Sequence, residues 1–165
     1  MISRVALSVI ATVALTATAG AQTPVKWTAT QVASAVPGGK ASVKLSATID
    51  EGWHIYSVTQ GPGGPIPTKI TVPAGQPIAL DGTIKAAPPE VKFDENFGIN
   101  VETYEKGAEF TVPVRVAKTA KAGTKHVQIN TRYQVCNATT CLPPKTEKLT
   151  AALKIARKSS GKSGK

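Results

Sequence analysis

The sequence predicts an all-β fold, an antiparallel sandwich, and three observations predict it. Four runs alternate apolar and polar residues with the period of two that a half-buried strand requires. Gly and Pro punctuate the intervals between the runs. No segment sustains a helical period over three turns. About nine short strands punctuated in this way are the pattern of an immunoglobulin-like β-sandwich, with an antiparallel barrel as the fallback.

The first segment in chain order is not part of that fold. Met1 to Arg4 carries one positive charge, Val5 to Leu15 is apolar, and Ala17-Thr-Ala19-Gly-Ala21 offers small-x-small cleavage sites. Residues 1–21 therefore read as a signal peptide cut near Ala21. The apolar run is too short to span a bilayer, and no cysteine follows it to carry a lipid. The expectation is a periplasmic or otherwise exported chain, without stable membrane insertion, in a compartment where disulfides persist.

Residues 22–155 read as one domain, long enough to build a core without staples. In Ala41 to Ile49, Val43, Leu45, Ala47 and Ile49 share one face; Ser42, Lys44, Ser46 and Thr48 share the other. Glu109 to Ala117 turns Phe110, Val112, Val114 and Val116 inward. Lys125 to Val135 does the same with Val127, Ile129, Thr131, Tyr133 and Val135, and Leu149, Ala151, Leu153 and Ile155 close the series. Weaker strands are expected at 25–33, 53–58, 68–72, 78–86 and 99–104. Breakers separate them at Pro37-Gly-Gly39, Gly61-Pro-Gly-Gly-Pro65, Pro73-Ala-Gly75, Pro88-Pro89, Gly107 and Gly123.

Residues 156–165 are basic, lack apolar periodicity and are expected to be a disordered, solvated tail. Without Arg4 the Lys and Arg total falls from 20 to 19, against 10 Asp and Glu. Basic charge alone does not indicate nucleic acid, because no platform of interleaved aromatic and basic residues accompanies it.

The chemistry concentrates in Arg132-Tyr-Gln-Val-Cys136-Asn-Ala-Thr-Thr-Cys141-Leu-Pro-Pro-Lys145, which holds both cysteines of the chain. Their spacing permits a disulfide. Closing so short a loop removes only about 2 kcal/mol of unfolded-chain entropy, against roughly 4–5 kcal/mol for a loop of about a hundred residues. A weak staple in a domain that can build a core points to sulfur chemistry. Two further stretches stand out from plain sandwich sequence: Glu51-Gly-Trp-His-Ile-Tyr56, and the acidic loop Phe93-Asp-Glu-Asn-Phe-Gly98 before the strand at Ile99. Core packing with wetted polar tips is the competing reading for Trp53 and Tyr56.

Gly52-Trp-His-Ile-Tyr56, Asp94-Glu-Asn-Phe-Gly98, and Tyr133-x-x-Cys136 with Cys141-x-Pro-Pro together resemble the amino-terminal periplasmic domain of DsbD, a thiol:disulfide interchange protein. The resemblance runs from about Lys26 to Ile155, and the cysteine run is its specific part. It implies an immunoglobulin-like domain acting as a thiol:disulfide oxidoreductase, a relay of electrons without a cofactor. Cys136 and Cys141 would be the redox pair, with Cys141 attacking the partner. Tyr56 would sit beside the sulfurs, and Asp94 and Glu95 on a cap loop that shields them. Partners would be thioredoxin-fold proteins, of the disulfide isomerase or cytochrome-maturation type. No transmembrane bundle follows in this sequence, so the electron donor would be a separate membrane protein.

Three departures from the resemblance stand out. The cysteine loop is one residue shorter than in the best-known members, a change expected to raise the potential. His54, counted with Tyr133 among the supporting residues, stands where an aromatic hydroxyl is common. Asn96 holds the usual aromatic position of the cap and Phe97 follows it.

Arg132 and Lys145 would lower a thiol pKa, whereas Asp94 and Glu95 would raise one. The alternatives are an exported binding module with a purely structural disulfide, and a zinc site built from Cys136, Cys141, His54 and His126. His126, however, falls on the opposite strand face from Tyr133. Asn137-Ala-Thr139 matches a glycosylation sequon, and a glycan there would block exchange. No nucleophile elbow or carboxylate pair supports a hydrolase.

Overall fold

Alternating side chains fix which way each strand faces, and in the computed structural model those faces close on one another. The structure describes residues 23–31, 34–95 and 97–157. Twelve strands follow in order: β1 (Val25–Gln31), β2 (Lys40–Ile49), β3 (His54–Tyr56), β4 (Lys69–Thr71), β5 (Ile78–Leu80), β6 (Lys85–Ala86), β7 (Glu90–Asp94), β8 (Ile99–Glu105), β9 (Gly107–Val116), β10 (Gly123–Tyr133), β11 (Val135–Cys136) and β12 (Lys145–Ile155). No helix occurs among the described residues, and all the paired strands run antiparallel. The expected signal peptide and all of the basic tail beyond Arg157 lie outside the described residues.

One sheet has the order β1-β2-β9-β5, with β6 also paired to β9; a second has the order β12-β10-β4. Val43, Leu45, Phe110, Val112 and Val114 from the first sheet and Val127, Ile129, Leu153 and Ile155 from the second enter one hydrophobic cluster. Each such side chain contributes about 1.5–3 kcal/mol when fully buried. Trp27 seals the cluster by stacking on Phe110 at 5.6 Å and tilting against Tyr133 at 5.4 Å. The four strong alternating runs thus face as expected, and the all-β sandwich class holds.

A third sheet, ordered β11-β3-β8-β7, carries the cysteines. Here the expected strand limits need correction. The run to Val135 is not one strand, because the chain changes sheets at Gln134: β10 pairs with β12, whereas Val135 and Cys136 pair with Ile55 and His54. Gln134 pins the crossing, accepting from the Ile66 N–H and donating to the Leu142 carbonyl, both at 3.4 Å. The expected strand 78–86 splits in two around Gly82, whose φ of 116° interrupts an extended path. Residues 90–94, left unassigned by the sequence, form an edge strand. Val91 and Phe93 alternate with Glu90, Lys92 and Asp94 over only five residues and are exposed, and the pairing with β8 defines the strand. Phe93 and Asp94 are therefore the end of β7, and Glu95, Phe97 and Gly98 lie at the turn between β7 and β8.

Candidate functional site

β11 ends at Cys136, and the chain turns back at once so that Cys141 stands opposite it. The two are joined as a disulfide across a sequence separation of 5. Asn137 shapes the turn. Its side-chain oxygen accepts from the backbone N–H of Thr139 at 2.9 Å and of Thr140 at 2.8 Å, and its own N–H donates to the Thr140 carbonyl at 2.9 Å. This is the local side-chain turn that Asn favours. Leu142 N–H donates to the Val135 carbonyl at 2.9 Å and closes the exit.

The two cysteines differ in exposure. Cys136 is 1% exposed and forms a small buried cluster with Tyr56 and Val101, separate from the main core. Cys141 is exposed. One sulfur-bearing residue is thus anchored in the protein and the other is presented to solvent.

β3 supplies the floor. His54 lies directly across from Cys136 on one side and from Glu105 on the other. The strand period puts His54 and Tyr56 on the same face, where His54 Nε2 and the Tyr56 hydroxyl lie 3.1 Å apart and the rings meet edge-on at 5.2 Å. Burial, helped by the Asp94 charge, pushes the Tyr56 phenol up to about 12. Burial also lowers the His54 pKa; Glu105 and Asp94 oppose it and Lys92 reinforces it. Lys92 is held by Glu105 at 2.7 Å and Glu90 at 3.3 Å, and its hydrogen bond lowers the Glu105 pKa.

The end of β7 and the turn into β8 contribute to a cleft with the disulfide turn. Asp94 pairs across the hairpin with Ile99. Its carboxylate accepts from the Phe97 N–H at 3.3 Å and its carbonyl from the Gly98 N–H at 2.8 Å. Gly98 has φ 66°, a conformation suited to glycine. Asp94, Glu95, Phe97 and Phe93 line this open cleft of about 460 Å³ together with His54, Tyr56, Cys136 and the turn to Cys141. Phe93 and Phe97 are 64% and 39% exposed.

Of the residues singled out from the sequence, Cys136, Cys141, His54, Tyr56, Asp94, Glu95 and Phe97 meet in this cleft. Tyr133 does not: it packs in the main core against Trp27, and its hydroxyl is buried without a hydrogen-bond partner. Asn96, expected at the tip of the cap, lies outside the described residues. His126 sits on an exposed position of β10 rather than in the cleft, and no group of three metal-ligand side chains occurs among the described residues. Sequence reasoning missed Phe93 as a lining residue and Asn137 as the organiser of the turn. An Asn followed by two Thr residues in a tight loop was the available signal for the latter.

The profile of the family described as "Thiol:disulfide interchange protein DsbD, N-terminal" matches residues 21–153. Among solved structures, the N-terminal periplasmic domain of ScsB from Proteus mirabilis is similar at 18% identity, over 76% of this chain and 44% of that one, with a TM-score of 0.47. A family 123 glycoside hydrolase from Clostridium perfringens is similar at 10% identity, over 81% of this chain and 28% of that one, with a TM-score of 0.36. This chain thus spans less than half the length of either, and neither likeness is close enough to add weight. No curated protein matches the chain. The profile match covers the three sheets and the disulfide-bearing cleft, and by it the chain belongs to the family of the N-terminal domain of the thiol:disulfide interchange protein DsbD.

Proposed function

We propose that this chain is a periplasmic thiol–disulfide exchange domain that relays reducing equivalents through Cys136 and Cys141 between thioredoxin-fold partners. The observation that carries the proposal is the unequal pair: a disulfide in a short turn, one cysteine buried and the other exposed at an open cleft. In the reduced state the exposed Cys141 thiolate attacks a partner disulfide, and the partner's first sulfur leaves as a thiolate. The Cys136 thiolate then attacks Cys141, forms the internal disulfide and releases the partner's second thiolate. Two electrons and two protons pass to the partner, and the reverse sequence with a dithiol donor reloads the pair. Exchange runs through thiolates, so neighbouring charge sets the rate. The domain is read as residues 22–155, and the hairpin tip, with Asp94, Glu95 and Phe97, as a shield over the sulfurs. The donor is read as a separate membrane protein.

Cys136→Ser is expected to trap a mixed disulfide through Cys141 with a thioredoxin-fold partner, and Cys141→Ser to trap none. The midpoint potential of the pair is expected above the ceiling of about −300 mV that structural bridges keep. A pair that stays oxidised below that potential, with no trapped adduct, would leave a binding module with a structural disulfide as the better reading.

A further inference from the structure

Resolution of the mixed disulfide requires a proton to leave Cys136, and the structure makes that departure difficult. Cys136 is 1% exposed and packed against Tyr56 and Val101, so water has little access to it once it is a thiol. The side chain aligned directly across from it is His54, which lines the same cleft and whose Nε2 lies 3.1 Å from the Tyr56 hydroxyl. We propose that His54, coupled to Tyr56, is the proton acceptor for Cys136 in the resolving step of exchange. The proposal rests on the exchange reading above and adds a residue-level role to it.

The step balances within the cleft. Cys136 Sγ–H gives its proton to the His54–Tyr56 pair, where it rests on Nε2, and the resulting imidazolium donates to the Tyr56 oxygen. The Cys136 thiolate attacks Cys141 Sγ, and the new S–S bond forms as the Cys141–partner bond breaks. The departing partner thiolate takes the proton from the imidazolium, which leaves His54 neutral for the next turnover.

The surroundings suit this role. Burial favours the neutral imidazole, the form that accepts, and Tyr56 keeps its own proton well above neutrality. Glu105 across from His54 on β8 and Asp94 on the hairpin favour the imidazolium, whereas Lys92 on β7 opposes it. Glu95 also lines the cleft, Glu90 holds Lys92, and the 137–140 turn brings no charged side chain. Imidazole is the side chain whose proton affinity suits transfer near neutral pH.

The test mixes the reduced full chain with oxidised glutathione and follows the Cys141–glutathione adduct by acid quenching and intact mass across pH. His54→Gln is expected to slow adduct resolution by about tenfold or more at about pH 6.5. The difference should narrow as pH rises, because the thiol then ionises increasingly without a protein base. His54→Tyr, which retains a ring and a hydroxyl to pack in the same place, should show the same pH-confined defect. An unchanged rate, or an equal slowing at every pH, would overturn the proton role and leave His54 as packing. If the wild-type chain forms no adduct at all, the exchange reading itself fails, which is a distinguishable result.

Discussion

Tyr133 and Tyr56, at the ends of strands in two different sheets, show how position separates two buried tyrosines. Tyr56 turns its hydroxyl to His54 in the cleft, whereas the Tyr133 hydroxyl is buried beside the Trp27 indole without reaching hydrogen-bond geometry with any group. A buried hydroxyl without a partner carries its desolvation cost uncompensated. Tyr133→Phe is therefore expected to be neutral or to stabilise the fold by up to about 1 kcal/mol in urea unfolding. It should leave the potential of the cysteine pair unchanged, because Tyr133 does not line the cleft. Burial holds both phenols at about 12, against an ordinary value of about 10 in the unfolded chain. As pH rises from about 10 to about 12 the unfolded chain sheds protons that the folded chain keeps, so stability falls across that window. The Tyr133→Phe variant should lose less of its stability there than the wild type. Equal alkaline losses would mean that the Tyr133 environment does not resist ionisation.

Among the elements, the β7–β8 hairpin is the one that local pattern announces least. β7 is an edge strand held by its pairing with β8 and by Lys92 between Glu90 and Glu105. Exposed ion pairs of this kind stabilise by only about 0–1 kcal/mol, so β7 rests mainly on its backbone pairing with β8. Phe97→Ala is expected to speed alkylation of the reduced cysteines by a small reagent such as iodoacetamide several-fold, without changing the unfolding midpoint appreciably. An unaltered alkylation rate would show that Phe97 does not shield the sulfurs. Phe93, which lines the same cleft with 64% of its surface exposed, then becomes the residue to change.

For the molecule as a whole, the main core and the buried cluster at the disulfide turn are separate. Val43, Leu45, Phe110, Val112, Val127, Ile129 and Leu153 build one cluster between two sheets, while Cys136 belongs to another with Tyr56 and Val101. The bridge closes a turn worth about 2 kcal/mol of unfolded-state entropy, a small term beside the burial of so many side chains. Reduction is thus expected to leave the far-UV circular dichroism unchanged and to lower the thermal midpoint modestly. Loss of the β spectrum on reduction would mean that the bridge is a structural requirement, and would count against exchange.

The sequence by itself determined the class of the fold, because a period of two assigns each strand an inner and an outer face wherever one face is buried. The runs through Leu45, Phe110, Ile129 and Leu153 therefore point the right way on local pattern alone. It also located the cysteine pair, since one stretch holds both cysteines, and the resemblance carried by three stretches placed Tyr56, Asp94 and Glu95 near them, where they line the same cleft. Tertiary structure decided what periodicity cannot encode. Strand β7 turns its short apolar face, Val91 and Phe93, to solvent rather than to the core, and Gln134 reads as one more outward position until its hydrogen bonds mark a change of sheet. Tyr133 and Val135 share a face in the sequence and both enter the main cluster, yet only the sheet crossing at Gln134 carries the chain on to Cys136 in the third sheet. The opposition of His54 to Cys136 is likewise a matter of register between strands about eighty residues apart in the chain, and the pattern within one strand does not name its partner across that distance.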